Sequence, residues 1–163
     1  MAVIDKRHMT ADIDGDFVVF LIGFRINKLW KIWQWLPVFV SMPRMLMELG
    51  KHPDLGLLHA RTHFGIRNTF LVQYWESFEK LHAYAVAKDS EHLPAWKRFN
   101  QKIGNSGDVG IWHETYLVPA GQHESVYVNM PAHGLGQAGT LVEALGGKRY
   151  AKDRLGKGSS EQT

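Results

Sequence analysis

The sequence contains no cysteine among its 163 residues, and this absence removes several kinds of chemistry. Disulfide bonds, thiolate metal sites and a cysteine nucleophile are all excluded. The sequence also lacks the run of about 18 apolar residues that a membrane-spanning helix needs. Its first ten residues are polar and charged, without the apolar segment of a secretory signal, so we expect a cytoplasmic protein with no membrane partner.

Outside the C-terminal end, neither basic nor acidic side chains are in excess. Residues 148–163 hold five basic and two acidic side chains, which accounts for the whole formal net charge of +3 and leaves residues 1–147 formally neutral. Nucleic-acid-binding domains usually carry a basic face on the folded body. A neutral body with a short basic end therefore predicts no nucleic-acid partner.

Motifs for nucleotides and metals are lacking as well. Residues 134–139 match the glycine spacing of a dinucleotide-binding loop, but no strand of a βαβ unit leads into them. The run from His113 to Leu117 begins with His-Glu and lacks the second histidine of a zinc protease. His59 and His63 share one strand face with Arg61 between them, and this arginine would repel a cation. We predict no metal site.

The most apolar part of the chain is DFVVFLIGFR, residues 16–25, which is typical of a strand buried on both faces. One face carries Val18, Phe20, Ile22 and Phe24, and the other carries Phe17, Val19 and Leu21. The helices of one subunit can cover only one face of such a sheet. We therefore expect a second copy of the chain to cover the other face, giving a homodimer.

The patterns after this strand predict further helices and strands. They are a helix opened by Pro37 and kinked or restarted at Pro43, a hairpin of strands 55–64 and 69–75, a helix after Glu76-Ser77, and strands 109–118 and 125–129. The order β-α-β-β-α-β-β is the ferredoxin-like plan, an α+β fold, with one extra strand. We predict one domain over residues 1–132, with an arm at 1–12. A Gly/Ala-rich and basic extension follows at 133–163, with a short helix at 140–145.

Five segments of the sequence resemble one known family. They are DGDFVVFLIGFRINKLW, LPVFVSMPRMLMEL, LVQYWESFEKLHAYA, HLPAWKRFN and GDVGIWHETYLVPAG. These segments, within residues 10–132, resemble a monooxygenase-like family of small bacterial and fungal proteins related to a monooxygenase of fumagillin biosynthesis. That family belongs with the antibiotic-biosynthesis monooxygenases in the dimeric α+β barrel superfamily. The resemblance implies a ferredoxin-like subunit that pairs into a dimeric α+β barrel.

The resemblance implies two kinds of chemistry. Some antibiotic-biosynthesis monooxygenases use no cofactor, because a deprotonated substrate held between sheet and helices itself reacts with oxygen. Haem-degrading monooxygenases, chlorite dismutases and aldoxime dehydratases of the superfamily instead bind haem in a similar cleft. We expect a monooxygenase-like oxidoreductase without cofactor that acts on a small hydrophobic substrate. The alternatives are a haem b protein, acting as a dehydratase or oxygenase, and a non-catalytic ligand-binding protein.

Candidate catalytic residues centre on the strand 109–118. His113 suits a general base because an imidazole titrates at about pH 6.5, and the alternative is a structural histidine bonded to backbone. Asn100 and Tyr116 are predicted to position the substrate. Alternation along the strand sends His113 to one face and both Glu114 and Tyr116 to the other. Glu114 needs a cation there, and Arg25 or Arg61 could supply one, for which we expect an ion pair at the dimer interface.

Aromatic side chains are predicted to line the substrate cleft, namely Trp75, Trp96, Phe99 and Tyr84. Asn27 ends the first strand, where cleft residues often sit in the resembled family. If haem is bound, His92 is the leading axial ligand, because haem-degrading relatives carry the proximal histidine on the helix after a Trp-bearing strand. His63 or His113 would be the next choices, and the alternative for His92 is a histidine that faces solvent or caps its helix.

Overall fold

The computed structural model describes residues 3–87 and 105–155, together with Lys97 and Gln101. The elements are β1 Asp5–Asp12, β2 Phe17–Ile26, α1 Ile32–Lys51, β3 Leu57–Phe64, β4 Asn68–Trp75, α2 Phe78–Val86, β5 Val109–Val118, β6 Tyr127–Met130 and β7 Thr140–Glu143. The described residues also form one-turn helices at Leu135–Ala138 and Ala151–Arg154 and 3-10 turns at Pro53–Leu55 and Gly146–Lys148. No helix among the described residues is long and apolar enough to cross a membrane.

The larger sheet has four antiparallel strands in the order β3-β4-β2-β5. The chain reaches them as β2-α1-β3-β4-α2-β5, which is the split βαβ, ferredoxin-like plan. The α+β prediction is confirmed, and β5 occupies the predicted residues. The hairpin of β3 and β4 also forms as the alternation predicted, with Thr62 opposite Leu71 and Phe64 opposite Thr69.

The two faces of this sheet differ as the alternation of β2 predicted. Val18 pairs with Trp75, and both are buried on the side of the helices, where they pack with Leu49, Leu81 and Tyr84. We call this side the helix face. The opposite side, which carries Leu21, Phe70, Val72, Trp112 and their neighbours, is the open face.

Helix α1 is longer and more continuous than its prolines predicted. It begins at Ile32, before Pro37, and it runs through Pro43 to Lys51. Each proline removes one backbone N–H from the helix, which normally ends or kinks it. Here Phe39 and Met42 pack against a cluster around buried Phe24, and this contact holds the helix on the sheet across both prolines.

A second sheet joins the two ends of the described chain, in the order β6-β1-β7. Residues 5–12 therefore form a strand rather than an arm, and residues 140–143 form a strand where a helix was predicted. β6 pairs with β1 instead of extending the larger sheet. Local patterns missed these pairings because they join residues more than 110 positions apart. We call β1, β6, β7 and the helix Leu135–Ala138 the terminal module.

The terminal module covers one end of the open face. Phe17 and Val19 of β2 lie there against Ala11 and Leu135 of the module, and Phe17 is 3% exposed. The chain thus supplies part of the second layer that the sequence assigned to a second copy. The middle of the open face, around Leu21 and Val72, lies outside this cluster and is only partly buried.

Gly23 lets aromatic rings close over the middle of β2 on the open face. A Cβ at this position would lie 2.6 Å from the Phe70 Cβ and 2.9 Å from the Trp112 ring. The Phe70 ring is stacked on His63 at 4.9 Å and lies 6.0 Å from the Trp112 ring. The sheet thus has a row of rings across its open face, and any side chain at Gly23 would push that row apart.

Candidate active site

A cavity of about 580 Å³ lies between the helix face and the two helices α1 and α2. Its floor is formed by side chains of β2 and β4, among them Phe20, Leu71 and Trp75, and α1 supplies more than half of the residues in its wall. Most of these side chains are aliphatic or aromatic. A cavity of this size and character fits a small apolar molecule whose orientation depends on a few polar groups.

Gln73 is a buried polar group in the floor of the cavity. It is 8% exposed and lies on β4 between Leu71 and Trp75 on the same face. The Trp75 Nε1 donates a hydrogen bond of 2.9 Å to the Gln73 Oε1. Because an indole N–H only donates, the bonded amide atom is the oxygen, and the Nε2 group is left to donate elsewhere. The described residues give this Nε2 no hydrogen-bond acceptor, so it is available to a ligand.

Sequence reasoning missed Gln73, although a signal was present. In TFLVQYW the glutamine shares its strand face with Leu71 and Trp75, which are both apolar. A polar side chain on a buried face must be hydrogen-bonded or used. Here the glutamine oxygen is hydrogen-bonded, and the side chain faces the cavity.

Tyr84 and Glu48 join α2 to α1 beside the cavity. The Tyr84 hydroxyl donates a hydrogen bond of 2.8 Å to the Glu48 Oε2. Tyr84 is 5% exposed, lines the cavity and lies 5.9 Å from the Trp75 ring. The pair places a phenol in the wall and a carboxylate directly behind it. This arrangement can accept a proton from a bound molecule through the phenol oxygen.

Asp108 ties the loop after β2 to the start of β5. Its carboxylate is 2% exposed and forms ion pairs with Lys28 at 2.6 Å and Lys31 at 2.7 Å. Hydrogen bonds from these two ammonium groups hold the pKa of Asp108 below its ordinary value. Asn27 strengthens the same junction, because its Nδ2 donates to the Gly107 carbonyl at 3.0 Å. The cluster therefore anchors the chain that leads into α1.

The predicted cleft residues divide into three groups. Trp75 and Tyr84 line the cavity. Asn27 holds the loop described above and is not part of the cavity wall. The predicted residues His92, Trp96, Phe99 and Asn100 lie outside the described residues.

The structure does not bring the predicted catalytic pair His113 and Tyr116 together. His113 is paired with Ile22 on the helix face, and its ring lies 5.8 Å from Phe20, yet it is exposed and outside the cavity wall. Tyr116 is on the open face, where its hydroxyl donates to the Glu114 Oε2 at 2.6 Å. The alternation of β5 separates them, so Tyr116 belongs to a different surface from the cavity.

The haem alternative finds little support in the cavity wall. No histidine is found among the described residues that line it, and His63 stacks on Phe70 on the opposite face of the sheet. Nor do the parts of the chain that the structure describes contain a group of three or more potential metal ligands. The described residues therefore do not supply an imidazole to a haem in this cavity, and His92 stays a prediction.

Three histidines lie where the terminal module meets the open face. His59 and His123 each keep a ring nitrogen buried without a hydrogen bond among the described residues. Burial lowers the pKa of His59, His123 and His133, and the nearby Arg61 lowers it further for His59 and His133. Neutral imidazoles are thus part of the packing that holds the module in place.

Comparison with known proteins identifies the group to which this fold and cavity belong. A family model described as Monooxygenase af470-like matches residues 17–135, a range that includes every described residue of the cavity wall. The chain is also 30% identical over 185 residues to Monooxygenase af470 of Aspergillus fumigatus. That alignment covers 94% of this chain and 63% of the relative, so the chain spans less than two thirds of the relative's length.

One of the similar solved structures supports the fold. An aldoxime dehydratase in complex with butyraldoxime matches with a TM-score of 0.62 at 15% identity, over 94% of this chain and 44% of that protein. At this identity the likeness shows the fold alone. SnoaB, a cofactor-independent oxygenase from Streptomyces nogalater, matches with a TM-score of 0.45 at 10% identity, over 62% of this chain and 91% of its own. With the family match running from β2 past β5 and the Aspergillus relative at 30% identity, the chain belongs to the Monooxygenase af470-like family.

Proposed function

We propose that the protein is an oxygenase that acts on a small apolar molecule bound between the sheet and helix α1. The observation that carries this proposal is the buried Gln73 amide, which faces an apolar cavity with a free N–H donor. Membership of a monooxygenase-like family supports the reaction class. The wall favours an aromatic, polyketide-like or terpenoid substrate, because the rest of its surface is mainly hydrocarbon.

The reaction that suits this cavity oxidises a carbon acid next to an oxygen function. A methylene group loses a proton, the resulting carbanion is delocalised onto the neighbouring oxygen, and this electron-rich anion reduces O₂. One oxygen atom replaces the two hydrogens of the carbon to give a carbonyl, and the other oxygen leaves as water. The substrate supplies all of the electrons in this balance.

Two groups of the cavity have roles in this reaction. The Gln73 Nε2 donates a hydrogen bond to the developing oxyanion, where an oriented donor in an apolar site has its largest effect. The Tyr84–Glu48 pair accepts the proton, because its phenol oxygen is in the wall and its carboxylate is 2.8 Å behind. His113 is the competing base, and it would need the substrate to reach beyond Phe20.

Oxygen uptake in metal-free buffer tests the proposal. A panel of hydroquinone-like and anthrone-like compounds should include one that the protein oxidises, with one O₂ consumed for each carbonyl formed. Glu48→Gln should then slow uptake, whereas His113→Ala should leave it within about threefold. If His113→Ala slowed uptake and Glu48→Gln did not, the base would be His113 instead of the Tyr84–Glu48 pair. Saturable binding without any oxygen uptake across the panel would support the non-catalytic alternative instead.

The cofactor is tested by absorbance. We expect no cofactor to be needed, and we expect hemin addition to give no Soret band from a specific complex. A stoichiometric Soret band that His92→Ala abolishes would favour the haem alternative.

We also propose that two copies pair through the middle of the open face. The half-buried side chains Leu21, Phe70, Val72 and Trp112 lie there beside one another and are not covered by the terminal module. A two-fold axis would cover this surface on both copies with one interface. The helix face and its cavity are on the other side of the sheet and stay accessible in such a dimer.

A further inference from the structure

One side of α1 carries apolar side chains that are exposed to solvent. Four side chains at helical spacing form a line along it, and Trp30 continues the line just before the helix begins. These residues, which we call the apolar stripe, are Trp30, Trp33, Leu36, Val40 and Met47. Their exposed fractions lie between 42% and 68%, so the described chain leaves the stripe uncovered. From Trp33 to Met47 the stripe is about 21 Å long, given a rise of about 1.5 Å per residue.

Basic side chains outnumber acidic ones around the stripe. The carboxylates nearest to it are Asp108, which pairs with two lysines, and Glu48, which accepts a hydrogen bond from Tyr84. Residues 17–47 contain no aspartate or glutamate, whereas Lys28, Lys31 and Arg44 lie within this segment. The two lysines share the single carboxylate of Asp108, so this group keeps a net positive charge. Arg44 is exposed and makes no ion pair with a described residue. The stripe is therefore an apolar surface with cationic flanks.

The central part of the stripe is also the rim of the cavity. Trp33, Leu36 and Val40 are exposed to solvent and line the cavity at the same time. A molecule that left the cavity over these residues would pass directly across the stripe. Whatever covers the stripe in use therefore sits at the entrance of the candidate active site.

We propose that the apolar stripe docks α1 on an anionic lipid surface. Exposed tryptophans beside basic residues are typical of helices that lie in the interface of a bilayer, where the rings sit among the headgroups and the cations meet anionic lipid. A second copy of the chain fits less well, because a two-fold axis would bring identical cationic flanks together. The absence of a spanning helix does not conflict with this docking, since an interfacial helix lies on the surface.

Docking in this way connects the lipid to the cavity. Resting on the proposed function, we infer that the apolar substrate passes from the lipid phase over Trp33 and Val40 into the cavity, without crossing water. An apolar molecule partitions into membranes, so its concentration at the stripe would exceed its concentration in solution.

Co-sedimentation of the full chain with vesicles tests the docking. We expect binding to vesicles of phosphatidylglycerol and phosphatidylcholine, weaker binding to phosphatidylcholine alone, and loss of the difference at high salt because the charges are screened. Met47→Glu and Trp30→Glu change the stripe outside the cavity wall, and each should weaken binding about tenfold by removing an apolar contact and adding a negative charge. The matched control is Ile66→Glu, which changes an 88% exposed residue in the turn between β3 and β4.

Circular dichroism of the three variants establishes that each is folded. Equal binding by Met47→Glu and Ile66→Glu, or no binding by the wild type, would overturn the docking proposal. So would a change in oligomeric state caused by Met47→Glu, because that result would make the stripe a protein interface. Oxygen uptake with detergent-dispersed substrate but without vesicle binding would reject the docking and keep the oxygenase. Vesicle binding without uptake of oxygen would keep the docking and reject the oxygenase.

Discussion

The Gln73 amide can form two kinds of hydrogen bond. Its Oε1 accepts one from the Trp75 indole, and its Nε2 is available in the cavity to a ligand. Gln73→Leu keeps the size of the side chain and removes both. We expect this variant to lose about 10²-fold in kcat, the usual effect of removing one oxyanion donor. It should also lose about 1–3 kcal/mol of unfolding free energy, because the buried indole N–H is left without an acceptor.

Oxygen uptake and thermal melting of Gln73→Leu measure the two effects separately. Gln137→Leu is the matched control, since Gln137 is exposed on the one-turn helix of the terminal module. A variant that melts earlier but turns over at the wild-type rate would show that Gln73 only supports Trp75.

Asp108 is the second residue whose role can be measured alone. Its pKa is held below the ordinary value in the folded protein by Lys28 and Lys31, so the folded state favours the carboxylate. The stabilisation is fully present above about pH 4 and is lost as the pH falls through the lowered pKa of the folded state. We expect Asp108→Asn to lower the Tm at pH 7 and to reduce the loss of Tm below pH 4.

Thermal melts between pH 2.5 and 7 check this prediction. Asp54→Asn removes a carboxylate that is 78% exposed and serves as the control, with a pH profile like that of the wild type. Identical profiles for Asp108→Asn and Asp54→Asn would contradict an energetic role for the buried ion pairs.

For single residues, the sequence predicted the strand face on which a side chain lies better than it predicted the groups that the side chain contacts. Alternation placed His113 and Tyr116 on opposite faces of the strand, and the register has His113 on the helix face and Tyr116 on the open face. The same alternation already argued against a site that uses the two together. Gln73 was missed because the prediction for this strand rested on its aromatic side chain, Trp75, and not on its polar one. The position of α1 over the sheet decides which buried polar group faces the cavity. Local sequence patterns do not contain that position, so they could not identify Gln73.

The elements that local patterns predicted best are those whose contacts are close in sequence. The hairpin of β3 and β4 and the helix α2, whose Ser77 cap accepts a hydrogen bond from the Lys80 N–H at 3.2 Å, follow short-range rules. The terminal module was predicted wrongly because β1 has no partner within 100 residues. Its Met9, Thr10 and Ala11 are buried only once β6 and β7 arrive from the other end of the chain.

The terminal module should respond to mild acid. Burial lowers the pKa of His59 and His123 in the folded state, so the unfolded chain binds more protons as the pH falls below about 6.5. Stability contributed by the neutral imidazoles is therefore present above that pH and is lost on acidification. The double variant His59→Gln/His123→Gln should lose less Tm between pH 7 and pH 5 than the wild type.

His52→Gln is the control for this prediction, because the His52 side chain is 58% exposed. Hydrogen exchange of β1 at pH 5 and pH 7 locates the effect. If acid increased exchange equally throughout the larger sheet, the change would not belong to the module.

The whole molecule carries a charge pattern that predicts how two copies meet. One row of the open face runs from Arg61 at one edge through Val72 and Leu21 to Glu114 at the other edge. A two-fold axis parallel to the strands would place Arg61 of each copy over Glu114 of the other. This arrangement agrees with the expectation that Glu114 finds a cation across an interface.

A charge exchange tests the arrangement of the dimer. Arg61→Glu and Glu114→Arg should each weaken the dimer, because like charges then face each other, and the double variant should recover most of the lost affinity. Sedimentation velocity at micromolar concentration measures the dimer in all four proteins. A wild type that sediments as a monomer, or a double variant no better than the single ones, would contradict the pairing.

Helix α1 has a consequence for how this family can change. More than half of the cavity wall comes from one unbroken stretch, residues 33–49, and within it Phe39, Met42 and Leu49 also pack on the sheet. Exchange of that single segment between relatives, with these packing side chains kept, would give a new cavity on an unchanged sheet. Recombination of this one segment is therefore enough to change which ligands such a protein accepts. A library confined to these seventeen positions samples most of that change.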